Sequence, residues 1–284
     1  MLKQRIITAL ALLAVLLPAL FAQEPQAFLL LSALLIAAGA WEWARMNDMN
    51  SAQSVLSGLL CACLCVLAWW AGWTTHTATW LWGLAGAAWV GLTAWMLIRG
   101  VQGWSAWRRN VRWSVGLLML CLAWLAMAQA RTASVQLLLS IFCVVWAADV
   151  FAYFFGRAFG GKIIHQKLAP TVSPGKSWEG ALGGLLGVFV LAFAWMQLEQ
   201  DYQWPGASLF TAMLQHGYFL WALSLIFLTA MSVVGDLVES LVKRSAGVKD
   251  SSNLLPGHGG VLDRLDALLP ALPIAMMLLH WPTV

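Results

Sequence analysis

Charge is scarce in this chain. Only 10% of its 284 residues are Asp, Glu, Lys or Arg, against about 25% in a soluble globular domain. With 61% hydrophobic residues and a mean hydropathy of +0.78, that shortage excludes an ordinary soluble enzyme. Cysteine is sparse as well, and Cys61, Cys63, Cys65, Cys121 and Cys143 all lie inside apolar runs. No disulfide framework is implied. On a helix Cys61 and Cys65 share a face while Cys63 points away, so this spacing makes a poor metal clip and the thiols read as inert. A cleavage signal is missing too. Behind Lys3 and Arg5 the apolar run 6–22 has Leu20 at the −3 position, where a small residue is wanted, so a retained helix is expected. No long repeat or separate soluble stretch interrupts the chain.

What the chain has in quantity is apolar length. Runs at about 6–22, 26–44, 55–73, 78–98, 113–130, 135–155, 178–198, 211–234 and 265–281 approach the ~20 residues of a transmembrane helix. The expected fold is all-α, a polytopic integral membrane protein with about nine transmembrane helices and a cytoplasmic N-terminus. That orientation leaves Arg131 alone among the 16 Lys and Arg on the outer side. The net charge of +4 then belongs to loops facing anionic lipid and does not call for nucleic acid. Two segments follow. Residues 1–112 hold the first four helices and a basic loop with Arg99, Arg108, Arg109 and Arg112; residues 113–284 hold the rest and all the chemistry. The 19 Trp are read as interfacial anchors. Arg131→Ala, far from the chemistry, is expected to be nearly silent.

Three polar clusters stand out against this background. Asp149 lies near the end of an apolar span, where an acid is costly and functional by default. On a helix it shares a face with Tyr153 and Arg157, which suits either a site or a structural ion pair. The second cluster is Ser173-Pro174-Gly175-Lys176-Ser177-Trp178-Glu179-Gly180. A P-loop would need glycine five residues before Gly175, where Pro170 stands, and no strand is expected before it. The plainer reading is a helix N-terminus, with Lys176 and Ser177 beside free N–H groups that suit a phosphate. An ordinary cap with a snorkelling lysine is the alternative. The third cluster runs from Ser232 to Asp266. If the helix continues past Gly235, then Asp236, Glu239, Ser240 and Lys243 fall on one face, and Asp263 and Asp266 repeat the spacing. Two acidic faces joined by a basic loop can converge on a hard divalent cation and a phosphate chain. His76, His165, His216 and His280 lie near span ends or in loops and carry no expected function.

Ser240-Leu241-Val242-Lys243-Arg244, then Lys249-Asp250, then Leu255-Pro256-Gly257-His258-Gly259-Gly260-Val261-Leu262-Asp263-Arg264-Leu265-Asp266 closely resembles the signature of the phosphatidate cytidylyltransferases (CDP-diacylglycerol synthases). Asp149 with Tyr153, Gly156 and Arg157, and the cluster around Lys176, resemble that family too. One departure is Gly175, where a second lysine is common. The resemblance covers roughly 149–266; the first four spans match only in being hydrophobic.

The resemblance implies that CTP and phosphatidate give CDP-diacylglycerol and pyrophosphate, with Mg²⁺ as one cation or a pair. It assigns Asp236, Asp263 and Asp266 to the metal, and these with Lys243 to catalysis. Ser173, Lys176, Ser177, Ser240, Arg244, Lys249, Asp250, His258, Gly259, Gly260, Arg264, Asp149 and Arg157 are assigned to the substrates. The expected partners are CTP and membrane phosphatidate, with no nucleic acid; a homodimer is left open. The expected place is a bacterial-type cytoplasmic (inner) membrane, with the site facing the cytoplasm and a lateral opening for the acyl chains. A CTP-dependent polyprenol or phytol-type lipid kinase is the main rival. An ion-coupled transporter is the other, and would place ionisable groups near mid-bilayer.

Overall fold

The computed structural model describes residues 2–76 and 79–280. The start of the fourth run at Ala78 and the end of the ninth at Trp281 lie outside the described residues, as does the side chain of Lys3. Six helices follow one another: α1 (Leu2–Phe21), α2 (Gln26–Met46), α3 (Ser51–Trp70), α4 (Thr79–Ser105), α5 (Arg109–Ala133) and α6 (Val135–Phe159). A hairpin of β1 (Lys167–Ala169) and β2 (Ser173–Ser177) leads into α7 (Trp178–Tyr202). Then come α8 (Leu209–Leu214), α9 (Tyr218–Ser245), α10 (Leu262–Leu265) and α11 (Leu268–Leu279). By length and composition α1 to α7 and α9 are able to cross a membrane, eight helices among the described residues. The protein is an all-α polytopic membrane protein.

Several elements differ from the sequence reading. The eighth run is two helices, because a turn ending at Gly217 (φ 94°) separates α8 from α9. The ninth is α11, whose 12 residues rise only about 18 Å, short of the ~30 Å hydrocarbon core. It is buried on every face over 270–276, and packs against α4, α5 and α9. The polar connection before α7 contains antiparallel strands, with Lys167 opposite Ser177 and Ala169 opposite Ser173, where no strand was expected. Trp82, Trp104 and Trp124 are fully buried core residues rather than interfacial anchors. Trp124 Nε1 donates to the Ser32 hydroxyl at 3.2 Å and Trp82 Nε1 to Gln129 at 3.1 Å. Arg131 is buried as well. It donates from Nε to Leu20 O at 2.8 Å and from a terminal nitrogen to Ala22 O, tying α5 to the end of α1. Its replacement is therefore expected to cost stability, whatever its effect on activity. Cys121 on α5 meets Cys61 (3.7 Å between sulfurs) and Cys65, a convergence that local spacing does not reveal.

Glycine sets the closest helix pair. On α7, Gly180, Gly183, Gly184 and Gly187 line one face, and a Cβ on any of them would press into α6, at Phe151, Phe155 or the backbone of Ala148 and Ala152. Small residues at this spacing let membrane helices approach to backbone contact. The effect is to bring Asp149, Tyr153 and Arg157 of α6 against the start of α7. Gly235 does the same for α9, where a Cβ would lie 2.7 Å from Asp266 O and from Pro270.

Candidate active site

These two close approaches build one polar region at one end of the bundle. Between α6, α7, α9 and the hairpin opens a cavity of about 450 Å³, whose wall includes Asp149, Tyr153, Arg157, Gly175, Lys176, Ser177 and Asp236. The face predicted for Asp149, Tyr153 and Arg157 is thus real. Arg157 donates to the Tyr153 hydroxyl at 3.0 Å, and among the described residues no ion pair joins it to Asp149. Lys176 reaches across from β2 to α9, with Nζ 2.7 Å from Asp236 Oδ2 and 3.3 Å from Val233 O. Ser177 is the N-cap of α7, its Oγ accepting from Gly180 N at 3.1 Å. Ser173 opens β2 and does not line the cavity. Glu179, in the first turn of α7, accepts from the N–H groups of Gly161, Ile163 and Ile164 and so folds the loop after α6 over this end.

Asp236 also joins a second group. Carboxylate oxygens of Asp236, Glu239 and Asp266 all lie within 4.8 Å of one another. Helix α9 runs past Gly235 to Ser245, so Asp236, Glu239, Ser240 and Lys243 do share a face, and Ser240 donates to Asp236 Oδ1 at 3.3 Å. Lys243 bridges the next pair, with Nζ paired to Glu239 and 2.7 Å from Asp263 Oδ1. Asp263 is fully engaged, since its Oδ2 accepts from Ser251 N (2.9 Å), Ser251 Oγ (3.0 Å) and Gly260 N (2.8 Å). Burial works to raise its pKa, and the Lys243 ammonium and those N–H donors outweigh it, holding the group below its ordinary value. Among the described residues Asp266 accepts only from the Ala267 N–H, at 2.7 Å. Burial first, and then the Asp236 and Asp149 charges, push its pKa up to about 7 against that N–H and Lys243.

The donor set fits a hard divalent cation. Asp149, Asp236, Glu239, Asp263 and Asp266 face two lysines, Lys176 and Lys243. Carboxylates held this close repel unless a cation sits among them. The trio includes Glu239, whereas the family signature pointed to Asp263. What separates the two is visible only in three dimensions: Asp263 spends its oxygens on Lys243 and on the loop.

The loop itself is a tight turn. Gly257 (φ 76°) and Gly259 (φ 81°) adopt backbone that L side chains avoid, and Leu255 N donates to Gly259 O at 2.8 Å. The His258 carbonyl accepts twice from Arg264, at 2.6 and 3.2 Å, while its Nδ1 is buried with no partner among the described residues. Gly260 is buried beneath the loop. Arg244 is exposed on the last turn of α9, and Lys249 and Asp250 are exposed on the segment that follows it.

Sequence comparison identifies the family of the chain. The cytidylyltransferase family matches residues 3–281. The chain belongs to that family. It is 40% identical to the phosphatidate cytidylyltransferase of Pseudomonas aeruginosa, covering 98% of this chain and 97% of the relative. It is 36% identical to that of Haemophilus influenzae, covering 96% of each. Against the Brucella abortus protein of the same name it is 45% identical over 131 residues, 46% of this chain and 42% of the relative. The cytidylyltransferase match takes in the N-terminal spans, which the local motifs did not reach. In the structure Glu42 of α2 is fully buried against the 251–262 segment. Glu42 was not among the residues expected in the site. An acid inside an apolar run was the available signal.

Proposed function

We propose that this membrane enzyme transfers the cytidylyl group of CTP to phosphatidate, leaving CDP-diacylglycerol in the bilayer and releasing pyrophosphate. One observation carries the reading. In a chain similar over its whole length to phosphatidate cytidylyltransferases, Asp236 joins a lysine-bearing cavity to a compact acid trio.

A phosphatidate phosphate oxygen forms a bond to the α-phosphorus of CTP. The bond from that phosphorus to the oxygen bridging to the β-phosphate breaks, and its electron pair leaves with pyrophosphate. The attacking oxygen is already ionised, so no general base is required and His258 has no proton to take. The barrier is the approach of two anions, which makes alignment and charge neutralisation the main tasks. Lys176 and Arg157, on the cavity wall, supply positive charge to one phosphate. Asp236, Glu239 and Asp266 are the residues that would hold Mg²⁺, as one ion or a pair with Asp263 at its edge. When bound, the metal supplies charge to the triphosphate and orients it. Lys243 holds Glu239 and Asp263 apart and in register. Exposed Arg244, Lys249 and Arg264 stand where a triphosphate can reach them, and Ser240 is placed to donate to a phosphate oxygen once a cation takes Asp236.

The architecture suits these substrates. Phosphatidate stays in the bilayer while CTP is soluble, so a site at one end of the helices can meet both. The cavity rim carries exposed Tyr153, and Phe154 beside it is also exposed, a surface suited to lipid chains. The concentration of Lys and Arg at this end argues for a cytoplasmic orientation in a bacterial inner membrane.

The test uses purified protein in detergent with phosphatidate, Mg²⁺ and CTP labelled in the cytidine or in the γ-phosphate. Cytidine label in the lipid with pyrophosphate release is the expected result. Only γ-label in the lipid would make the enzyme a kinase, and no transfer by folded protein would overturn the reading.

A further inference from the structure

Glu42 lies on α2 with no solvent exposure, inside a largely apolar helix. Its carboxylate accepts from Ser252 Oγ at 2.6 Å, Val261 N at 2.9 Å and Leu262 N at 2.8 Å, and lies 3.1 Å from Ser251 Oγ, whose single proton it shares with Asp263. None of these belongs to its own helix; all come from the segment that precedes Asp263. A buried carboxylate is costly unless such donors satisfy it, and removing it strands every one of them. These bonds tie the segment to α2.

Two of the donors are the N–H groups at which α10 begins, so Glu42 determines where that turn starts. Asp266 follows by one turn, its N–H donating to Leu262 O at 3.0 Å. The Ser251 hydroxyl lies between two carboxylates, since it is also 3.0 Å from Asp263 Oδ2. Asp263 in turn holds Lys243, and Lys243 holds Glu239. A continuous polar network thus runs from α2 to the acid trio. Glycine makes the approach possible. A Cβ on Gly260 would overlap the Ser251 hydroxyl and the Glu42 carboxylate, and one on Gly39, a turn earlier on α2, would crowd Leu262.

We propose that Glu42 is a positioning residue of the active site, which acts through residues 251–262 to place Asp266 in the trio and, through Ser251, to hold Asp263 on Lys243. The inference rests on the transferase reading of the same site. It predicts more than a stabilising contact does, because outer-shell partners of metal sites change metal affinity or activity about 10- to 100-fold when lost.

The test compares full-length wild type, Glu42→Gln and Ser251→Ala in detergent. The readouts are hydrogen exchange over residues 251–262, Mn²⁺ binding by electron paramagnetic resonance, and kcat and KM for cytidylyl transfer. Glu42→Gln keeps the shape but turns an amide NH₂ toward N–H donors. Its Val261 and Leu262 amides are expected to exchange about tenfold faster or more, with α5 protected as in wild type. Mn²⁺ affinity and kcat are expected to fall about 10- to 100-fold while KM for phosphatidate holds. Ser251→Ala leaves the start of α10 intact and is expected to weaken Mn²⁺ binding without speeding those two amides. Wild-type Mn²⁺ affinity and kcat in folded Glu42→Gln would overturn the proposal. If Glu42→Gln does not fold, wild-type Mn²⁺ affinity in Ser251→Ala overturns it instead. A wild type that binds Mn²⁺ but transfers no cytidylyl group defeats the transferase reading; the same Mn²⁺ and exchange changes in the variants would then still support the positioning role.

Discussion

Lys243 and Asp263 show how single side chains divide the work of a crowded acidic site. Asp263 satisfies the loop and one lysine, whereas Asp236 and Asp266 keep oxygens turned toward each other and Glu239. Asp236→Asn or Asp266→Asn is therefore expected to lower kcat on the order of 10²-fold or more, with folding retained, because each removes charge at the point where phosphate charge is neutralised. Assays of purified variants at saturating CTP check this, and near-normal rates in both would move the site elsewhere. Asp263→Asn should lose as much activity but also loosen residues 251–260, a difference that hydrogen exchange reads directly. At the far end of the bundle Arg131→Ala should cost about 2–4 kcal/mol of stability, since it strands the carbonyls of Leu20 and Ala22. Thermal melting in detergent measures the loss, and kcat of the remaining folded enzyme should be unchanged. Residues whose partners lie nearby in sequence were legible: Asp236 with Ser240 and Lys243, or Asp149 with Tyr153. Glu42 and Arg131 were not, because Glu42 meets Ser251 across 209 positions and Arg131 meets Leu20 across 111.

At the scale of elements, glycine decides where helices touch. The four glycines of α7 let Phe151 and Phe155 of α6 lie against bare backbone, and this contact fixes the width of the cavity that Asp149 and Lys176 share. Gly183→Leu is expected to destabilise the protein by about 1–3 kcal/mol through overpacking and to reduce transfer by displacing Lys176 from Asp236. Trimming the obstacle, Phe155→Ala in the same chain, should recover part of both, which a double-mutant cycle of melting temperatures would show. The long helices were readable because an unbroken apolar run has few alternatives in a bilayer. The breaks were harder to see. Gln215-His216-Gly217 ends one helix and starts another inside a run that is apolar on both sides. Helix α11 reads like a span by hydropathy, yet neighbouring helices bury it on all faces, and hydropathy cannot tell lipid from protein as the apolar surroundings.

At the scale of the molecule, the N-terminal helices are part of the site's support as well as its anchorage. Helix α2 holds the loop through Glu42, and Thr8 of α1 donates to Pro256 O at 3.0 Å, so both ends of the chain meet at residues 251–262. That is consistent with a family match that runs over residues 3–281. The acid trio sits at one end of the bundle beside a lysine-bearing cavity, an arrangement suited to joining a lipid phosphate to a soluble nucleotide and unlike a transport path through mid-membrane. The account stands on the trio as the metal-holding centre of that reaction. The most direct measurement is the rate of CDP-diacylglycerol formation against Mg²⁺ for wild type and for Glu239→Gln of matched melting temperature. The prediction is that EDTA abolishes transfer, Mg²⁺ restores it, and Glu239→Gln needs about tenfold more Mg²⁺ or higher for half-activation. Transfer that persists in EDTA, or a Glu239→Gln titration that overlies wild type, would contradict it.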